Sequence, residues 1–131
     1  MTEKKNTVTK PTDAEMEILK VLWDNGPNTV RFVNDKLNER KDVGYTTTLK
    51  IIQIMFDKGM VERIREGRTH VYTPLVSETE VQQKVLDRLL ETTFGGSAKK
   101  LVMSALGRNR SSKEELEEIR KLIDKLESEQ K

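Results

Sequence analysis

Apolar residues recur every three or four positions along most of this chain, and near every second position in only one region. The first periodic stretch puts Ala14, Ile18, Val21 and Leu22 on one face, with Leu19 and Trp23 at its margins, as in an amphipathic helix. Thr12-Asp13-Ala14-Glu15, after Pro11, is a capping box that starts it. Asn25-Gly26-Pro27 stops it, because proline disfavours helix in the residue before it. A second helix is predicted from Asn28 or Thr29 to about Arg40, burying Val30, Val33 and Leu37. After a turn at Gly44, a third helix carries a stripe of Leu49, Ile52 and Phe56, widened by Ile51 and Met55. Thr46 or Thr47 can cap its start through a hydroxyl that accepts an orphan backbone N–H. Lys58-Gly59 supplies a cation in the last turn and a residue that tolerates positive φ beyond it.

The region of shorter spacing follows. Two short strands are expected, joined at Glu66-Gly67, with Arg63, Arg65 and Arg68 around the turn. Alternation is imperfect in the first strand, where Val61 and Ile64 are not two apart. It is better from Thr69 to Thr73, which holds the β-prone Val71 and Tyr72. Pro74 closes the strand, since it cannot donate to a ladder. Three short helices followed by a hairpin is the order of a winged helix-turn-helix.

From Ser77 the pattern is purely helical. Ser77-Glu78-Thr79-Glu80 opens a helix bearing Val81, Val85, Leu86, Leu89 and Leu90, and Gly95-Gly96 breaks it. A short apolar segment from Ala98 to Leu106 comes next. The last helix starts at Ser111 or Ser112, where Ser112-Lys113-Glu114-Glu115 is another capping box. Leu116, Ile119, Leu122, Ile123 and Leu126 line one narrow face of it. Such a face does not stabilise an isolated helix, so it needs a partner. The expected fold is mainly α with a small β-hairpin wing. Residues 1–10 form a flexible tail, 11–76 a winged-helix DNA-binding domain, and 77–131 a helical dimerisation domain. Its dimer contacts would come from Leu86, Leu89, Leu90, Leu116, Ile119, Leu122, Ile123 and Leu126.

Composition narrows the chemistry. Only 34% of the 131 residues are hydrophobic while 35% are charged, so each subunit buries a small core and shared burial in an oligomer is plausible. The net charge of +2 gives no bulk argument for nucleic acid; that must rest on where the cations sit. Cysteine is absent, which excludes disulfides, thiolate metal sites and cysteine catalysis. No nucleophile stands beside a base, and no metal spacing or phosphate loop is present, so neither an enzyme nor a cofactor is expected. The start, MTEKKNTVTK, has no apolar core and nothing resembles a membrane span. A soluble, cytoplasmic protein without membrane contact is expected.

In a helix-turn-helix the start of the second helix of the pair reads base edges. Thr46, Thr47 and Lys50 lie there, facing away from the apolar stripe. Threonine can bond a base edge and touch a thymine methyl, and lysine can approach guanine acceptors. The plainer alternative is that Thr46 only caps and Lys50 is solvated. Arg65 and Arg68 would contact phosphate or the minor groove, or else only discourage strand pairing at an edge. Arg63 can instead pair with Glu62 or Glu66. Tyr45 can meet backbone phosphate or pack on Trp23. His70, the lone histidine, is a wing residue able to approach phosphate, not a metal ligand. Trp23 and Phe32 are expected in the core, with Met55, Met60 and Met103 as gap-fillers.

Lys58-Gly59-Met60-Val61, Arg63, Glu66-Gly67-Arg68 and Tyr72-Thr73-Pro74 together resemble the helix-exit and wing signature of the penicillinase repressor family. Thr46-Thr47-Thr48-Leu49 is similar to the start of its recognition helix, and Thr12-Asp13-Ala14-Glu15 with Ile18-Leu19 and Leu22-Trp23 to its first helix. The resemblance runs from about Pro11 to Leu126. It implies a homodimeric repressor on a palindromic operator, inactivated when a sensor-activated protease cuts the dimerisation domain. The family's copper-sensing branch uses a cysteine cluster that this chain lacks. Met103, Ser104, Ala105 and Leu106 line up with the scissile region, with Ser104-Ala105 in place of the family's asparagine-phenylalanine bond. Ile54 stands where relatives usually carry arginine. Two other functions fit the same pattern: a winged-helix regulator answering to a small ligand, and a winged-helix adaptor that binds a protein.

Overall fold

The computed structural model describes residues 10–130, so the expected tail, but for Lys10, lies outside the described residues. Helices α1 (Asp13–Asn25), α2 (Val30–Leu37) and α3 (Tyr45–Asp57) precede an antiparallel hairpin of β1 (Val61–Glu66) and β2 (Thr69–Pro74). Helices α4 (Glu78–Thr92), α5 (Ala98–Leu106) and α6 (Lys113–Glu129) follow. This is the expected class, mainly α with a hairpin wing.

Local chemistry sets most of the boundaries. At the start of α1, Thr12 Oγ1 accepts from the Glu15 amide at 3.1 Å and Glu15 Oε1 accepts from the Thr12 amide at 3.0 Å, a complete capping box. α2 ends at Leu37, short of the expected Arg40. The Asn38 amide nitrogen donates to Asn34 O and Val43 O, both at 2.8 Å, and its oxygen accepts from Val43 N–H. These bonds compete with helix continuation and draw the chain into the turn.

α3 begins earlier than expected. Gly44 is its N-cap, in extended conformation, so Thr46 and Thr47 lie inside the first turn and cap nothing. Its exit is a Schellman motif: Met60 N–H donates to Met55 O at 2.9 Å and Gly59 N–H to Phe56 O at 3.1 Å, with Gly59 at φ +82°. The shielded stripe is also rotated from the expected one. Thr48, Ile52 and Met55 are wholly buried, whereas Leu49, Ile51 and Phe56 are half-buried. A threonine can occupy that stripe because Asn34 of α2 meets its hydroxyl at 2.7 Å.

The core joins Ile18, Leu19 and Leu22 of α1, Val33 of α2, Ile52 and Met55 of α3, Val61 and Tyr72 of the hairpin, and Val81 of α4. Leu19 is therefore central, not marginal. Met60 belongs to this core as well. Trp23 is half-buried and packs against this core, its indole N–H donating to Val76 O at 3.0 Å. Phe32 is also half-buried and lies outside the core, with the Lys36 ammonium 5.8 Å from its ring.

The described chain divides inside α4, between Leu86 and Asp87. Val81 and Val85 of α4 pack with the core of the first unit. In the second unit no described residue from Asp87 onward is buried. Ser112 and Glu115 form the expected capping box of α6, with bonds of 3.1 and 3.3 Å. Met103 is 65% exposed on α5 and so fills no gap in the chain.

Candidate nucleic-acid interface

Three neighbours hold α3, and they define what it leaves free. On the α1 side, Lys58 Nζ beyond its last turn lies 2.7 Å from Glu15 Oε2. Burial alone would raise the Glu15 carboxyl; the hydrogen bond from Lys58, the Thr12 amide and the Lys58 charge outweigh it and hold the group below its ordinary 4.5. On the α2 side sits the buried Asn34. The amide orientation that suits its surroundings turns its nitrogen, with two protons to give, toward Thr48 Oγ1 at 2.7 Å and toward Val43 O and Gly44 O at 3.2 Å each. Its oxygen then accepts from Asn38 Nδ2 at 3.3 Å. One side chain thus fixes both the turn and the register of α3 against α2. On the wing side, the Arg63 guanidinium lies 4.1 Å from the centre of the Phe56 ring, a cation–π contact. Arg63 thus meets Phe56 and not Glu62 or Glu66, the pairing weighed as its alternative.

The remaining arc of α3 is open to solvent. Thr46, Thr47, Lys50, Gln53, Ile54 and Asp57 are all exposed on it. The sequence pattern marks the first two turns of this face. Gln53 was not expected there, although helical spacing from Thr46 and Lys50 could have added it.

The wing is tied to the helices at its base. Asn28 and Tyr72 exchange backbone bonds of 3.1 and 2.8 Å, a single bridge that ties the turn between α1 and α2 to β2. In the ladder, Val61 faces Pro74, Arg63 faces Tyr72 and Arg65 faces His70. Side chains alternate across a strand, so these three pairs share the face that Arg63 turns toward α3. Ile64 and Val71 fall on the opposite face, and Ile64 is 57% exposed. That explains the uneven alternation of β1. Gly67 takes φ +63° at the first loop position, where a two-residue hairpin loop needs positive φ. Arg65 Nε donates to Gly67 O at 3.1 Å, bracing the tip, while Arg68 is exposed beside it.

Between the start of α2, the start of α3 and β2 lies a groove of about 210 Å³. It gathers Arg31, Tyr45, Arg68 and His70. Tyr45 does not pack on Trp23; the Arg31 guanidinium sits 5.0 Å from its ring centre instead. Arg31 was not expected at the site, because nothing local in the sequence links α2 to the first residue of α3. The His70 ring meets Tyr72 edge-on, with centroids 6.3 Å apart. The structure thus brings Tyr45, Arg68 and His70 together, sets Arg65 beside them across the ladder, and keeps Thr46, Thr47 and Lys50 on the adjacent open face.

Three packed helices, an exposed polar face on the third and a cationic hairpin beside it define a winged helix-turn-helix protein. The chain belongs to the penicillinase repressor family, whose model matches residues 11–125. It is similar to the transcriptional regulator BlaI of Mycobacterium tuberculosis, with 29% identity over 123 residues, covering 92% of this chain and 88% of that one. It is similar too to the penicillinase repressor of Bacillus licheniformis, with 25% identity over 113 residues, covering 86% and 88% of the two chains. Among solved structures, the DNA-binding domain of the repressor BlaI matches with a TM-score of 0.50 and 26% identity, over 60% of this chain and 93% of that one. No described helix is long and apolar enough to cross a membrane.

Proposed function

We propose that this chain is a transcriptional repressor that binds a palindromic operator as a homodimer. The observation that carries the reading is the open face of α3, with Thr46, Thr47 and Lys50 exposed beside a hairpin that bears Arg65, Arg68 and His70. α3 enters the major groove, and the wing and the Arg31–Tyr45 stack meet flanking phosphates. The names of the relatives, a transcriptional regulator and a penicillinase repressor, support the same reading.

The homodimer is argued from surface that a single chain leaves uncovered. Leu116, Leu122, Ile123 and Leu126 of α6 are between 38% and 52% exposed, and Leu86 and Leu89 of α4 are 39% and 41% exposed. Leu90 and Ile119 are half-buried beside them. A charged helix with one apolar stripe gains by covering that stripe with a second copy. Release by a sensor-activated protease would act on α5, where Met103, Ser104 and Ala105 are exposed and Leu106 is half-buried. A cut there separates α6, with its apolar stripe, from the DNA-binding unit. The function needs no catalysis and no cofactor, and its place is the cytoplasm, beside DNA.

The test is selection of random duplexes by the purified full chain, with its mass in solution recorded alongside. A dimer that recovers an inverted repeat, with half-sites about 34 Å apart or a multiple of that, is the expected result. Recovery of no motif at moderate salt, or binding only by a monomer, overturns it.

A further inference from the structure

The open face of α3 holds one large apolar residue among polar ones. Ile54 is 42% exposed, on the side of α3 away from the buried Thr48, Ile52 and Met55. Its neighbours on the arc are Thr47, seven residues before, and Lys50, four residues before, which places the three along one line of the helix surface. An isoleucine 42% exposed on a face otherwise built for hydrogen bonding leaves apolar surface in water that the fold does not use. In the major groove the apolar feature on offer is the 5-methyl group of thymine.

We propose that Ile54 is a specificity-determining residue that packs against a thymine methyl in each operator half-site. The proposal rests on the reading that α3 lies in the major groove. Four residues of helix rise by about 6 Å, roughly two base steps of about 3.4 Å along one strand. The thymine that Ile54 touches therefore lies about two steps from the base that Lys50 approaches. Isoleucine suits this role because its β-branched side chain is held in few rotamers, so the contact costs little ordering. Thr47 carries a methyl group of its own and is the competing reader on the same line.

The experiment uses the duplex recovered by selection, with each thymine replaced in turn by deoxyuridine, which removes only the methyl group and keeps every hydrogen-bonding edge. Affinity of the full chain is measured for each duplex, for the native sequence and for Ile54→Ala. Shielding one methyl from water corresponds to about fourfold in affinity, and to roughly fifteenfold when both half-sites are changed. We expect that loss at one thymine per half-site, and we expect Ile54→Ala to bind the thymine and deoxyuridine duplexes alike. Ile54 is exposed, so the variant folds as the native chain does, which its unfolding curve checks. Full binding of every deoxyuridine duplex by the native chain overturns the proposal. An equal deoxyuridine loss in Ile54→Ala also overturns it and assigns the methyl to another residue, Thr47 foremost. Failure of the native chain to select any duplex overturns the groove reading itself, a separate outcome.

Discussion

Removing the Lys58 ammonium tests whether the buried carboxylate of Glu15 is held in place by charge. The Glu15 side chain is only 4% exposed, and Lys58 Nζ approaches it at 2.7 Å from a side chain that is 47% exposed. Losing one partner of a fully buried pair costs about 3–5 kcal/mol, while an exposed pair is worth about 0–1 kcal/mol. This pair lies between those limits, since the carboxylate is shielded and the ammonium is half in water. The Thr12 amide still satisfies the other carboxylate oxygen at 3.0 Å. Lys58→Ala should therefore destabilise the domain by about 2 kcal/mol, roughly a thirtyfold change in the folding equilibrium. The sign of its pH dependence follows from the depressed Glu15 carboxyl. A group held below 4.5 in the folded chain contributes stability that is present above that value and lost as pH falls through the folded one. The native chain should therefore lose its advantage over Lys58→Ala as pH falls below 4.5 and on through the lowered folded value. Urea unfolding across that range, extrapolated to water at each pH, reads both quantities. A neutral-pH difference under about 0.5 kcal/mol, the value of a surface pair, would refute the reasoning, as would a larger difference that stays constant down to acid.

Three further outcomes are expected. Asn34→Ala removes the buried partner of the Thr48 hydroxyl, while Val43 O keeps Asn38 Nδ2 and Gly44 O keeps the Thr48 amide; urea unfolding should show a loss of about 1–3 kcal/mol, and a neutral result would mean water replaces the amide without cost. Arg68→Glu should weaken binding to all duplexes and flatten the slope of log affinity against log salt by about 0.9 for each phosphate it no longer neutralises; an unchanged slope takes the wing tip off the DNA. Leu122→Lys alters a side chain 52% exposed in the single chain, so it should leave the unfolding curve of the winged-helix unit unchanged and convert dimer to monomer by light scattering; an unchanged mass removes Leu122 from the interface.

The parts of the fold that were legible in the sequence are those decided within four residues. The capping boxes at Thr12 and Ser112, the Lys58-Gly59 exit and the Gly67 loop all depend on a side chain or a φ angle acting on its own neighbourhood. The outward positions of α3 were legible for a similar reason, since helical period alone separates Thr46, Thr47 and Lys50 from Ile52. What escaped depends on partners far along the chain. Thr48 looks like a surface residue until Asn34, fourteen positions earlier, meets its hydroxyl. The actual stripe of α3 is rotated toward Thr48 and Met55 by that one contact. Arg63 had neighbouring glutamates as candidate partners and instead covers Phe56 of α3, while Tyr45 meets Arg31 of α2, which no local pattern links to it.

The wing shows why the remaining error took the form it did. A two-stranded hairpin on a surface has one face partly covered and the other in water, so its sequence carries only half of a burial pattern. In β1 the covered face begins with Val61 and continues with Arg63 and Arg65, which are charged yet lie on the α3 side. Hydrophobic alternation cannot reveal a face built from arginines. What selects the face is the bridge between Asn28 and Tyr72, which fixes β2 against the helices and with it the side of the ladder that β1 presents. Arginines on the inner face cost little here, because Arg63 covers an aromatic ring and Arg65 braces its own loop. The same choice leaves Ile64 outward, where it contributes nothing to the core, and sets the cations beside the open face of α3. In this hairpin the residues that spoil the strand pattern are the ones that give the wing its charge.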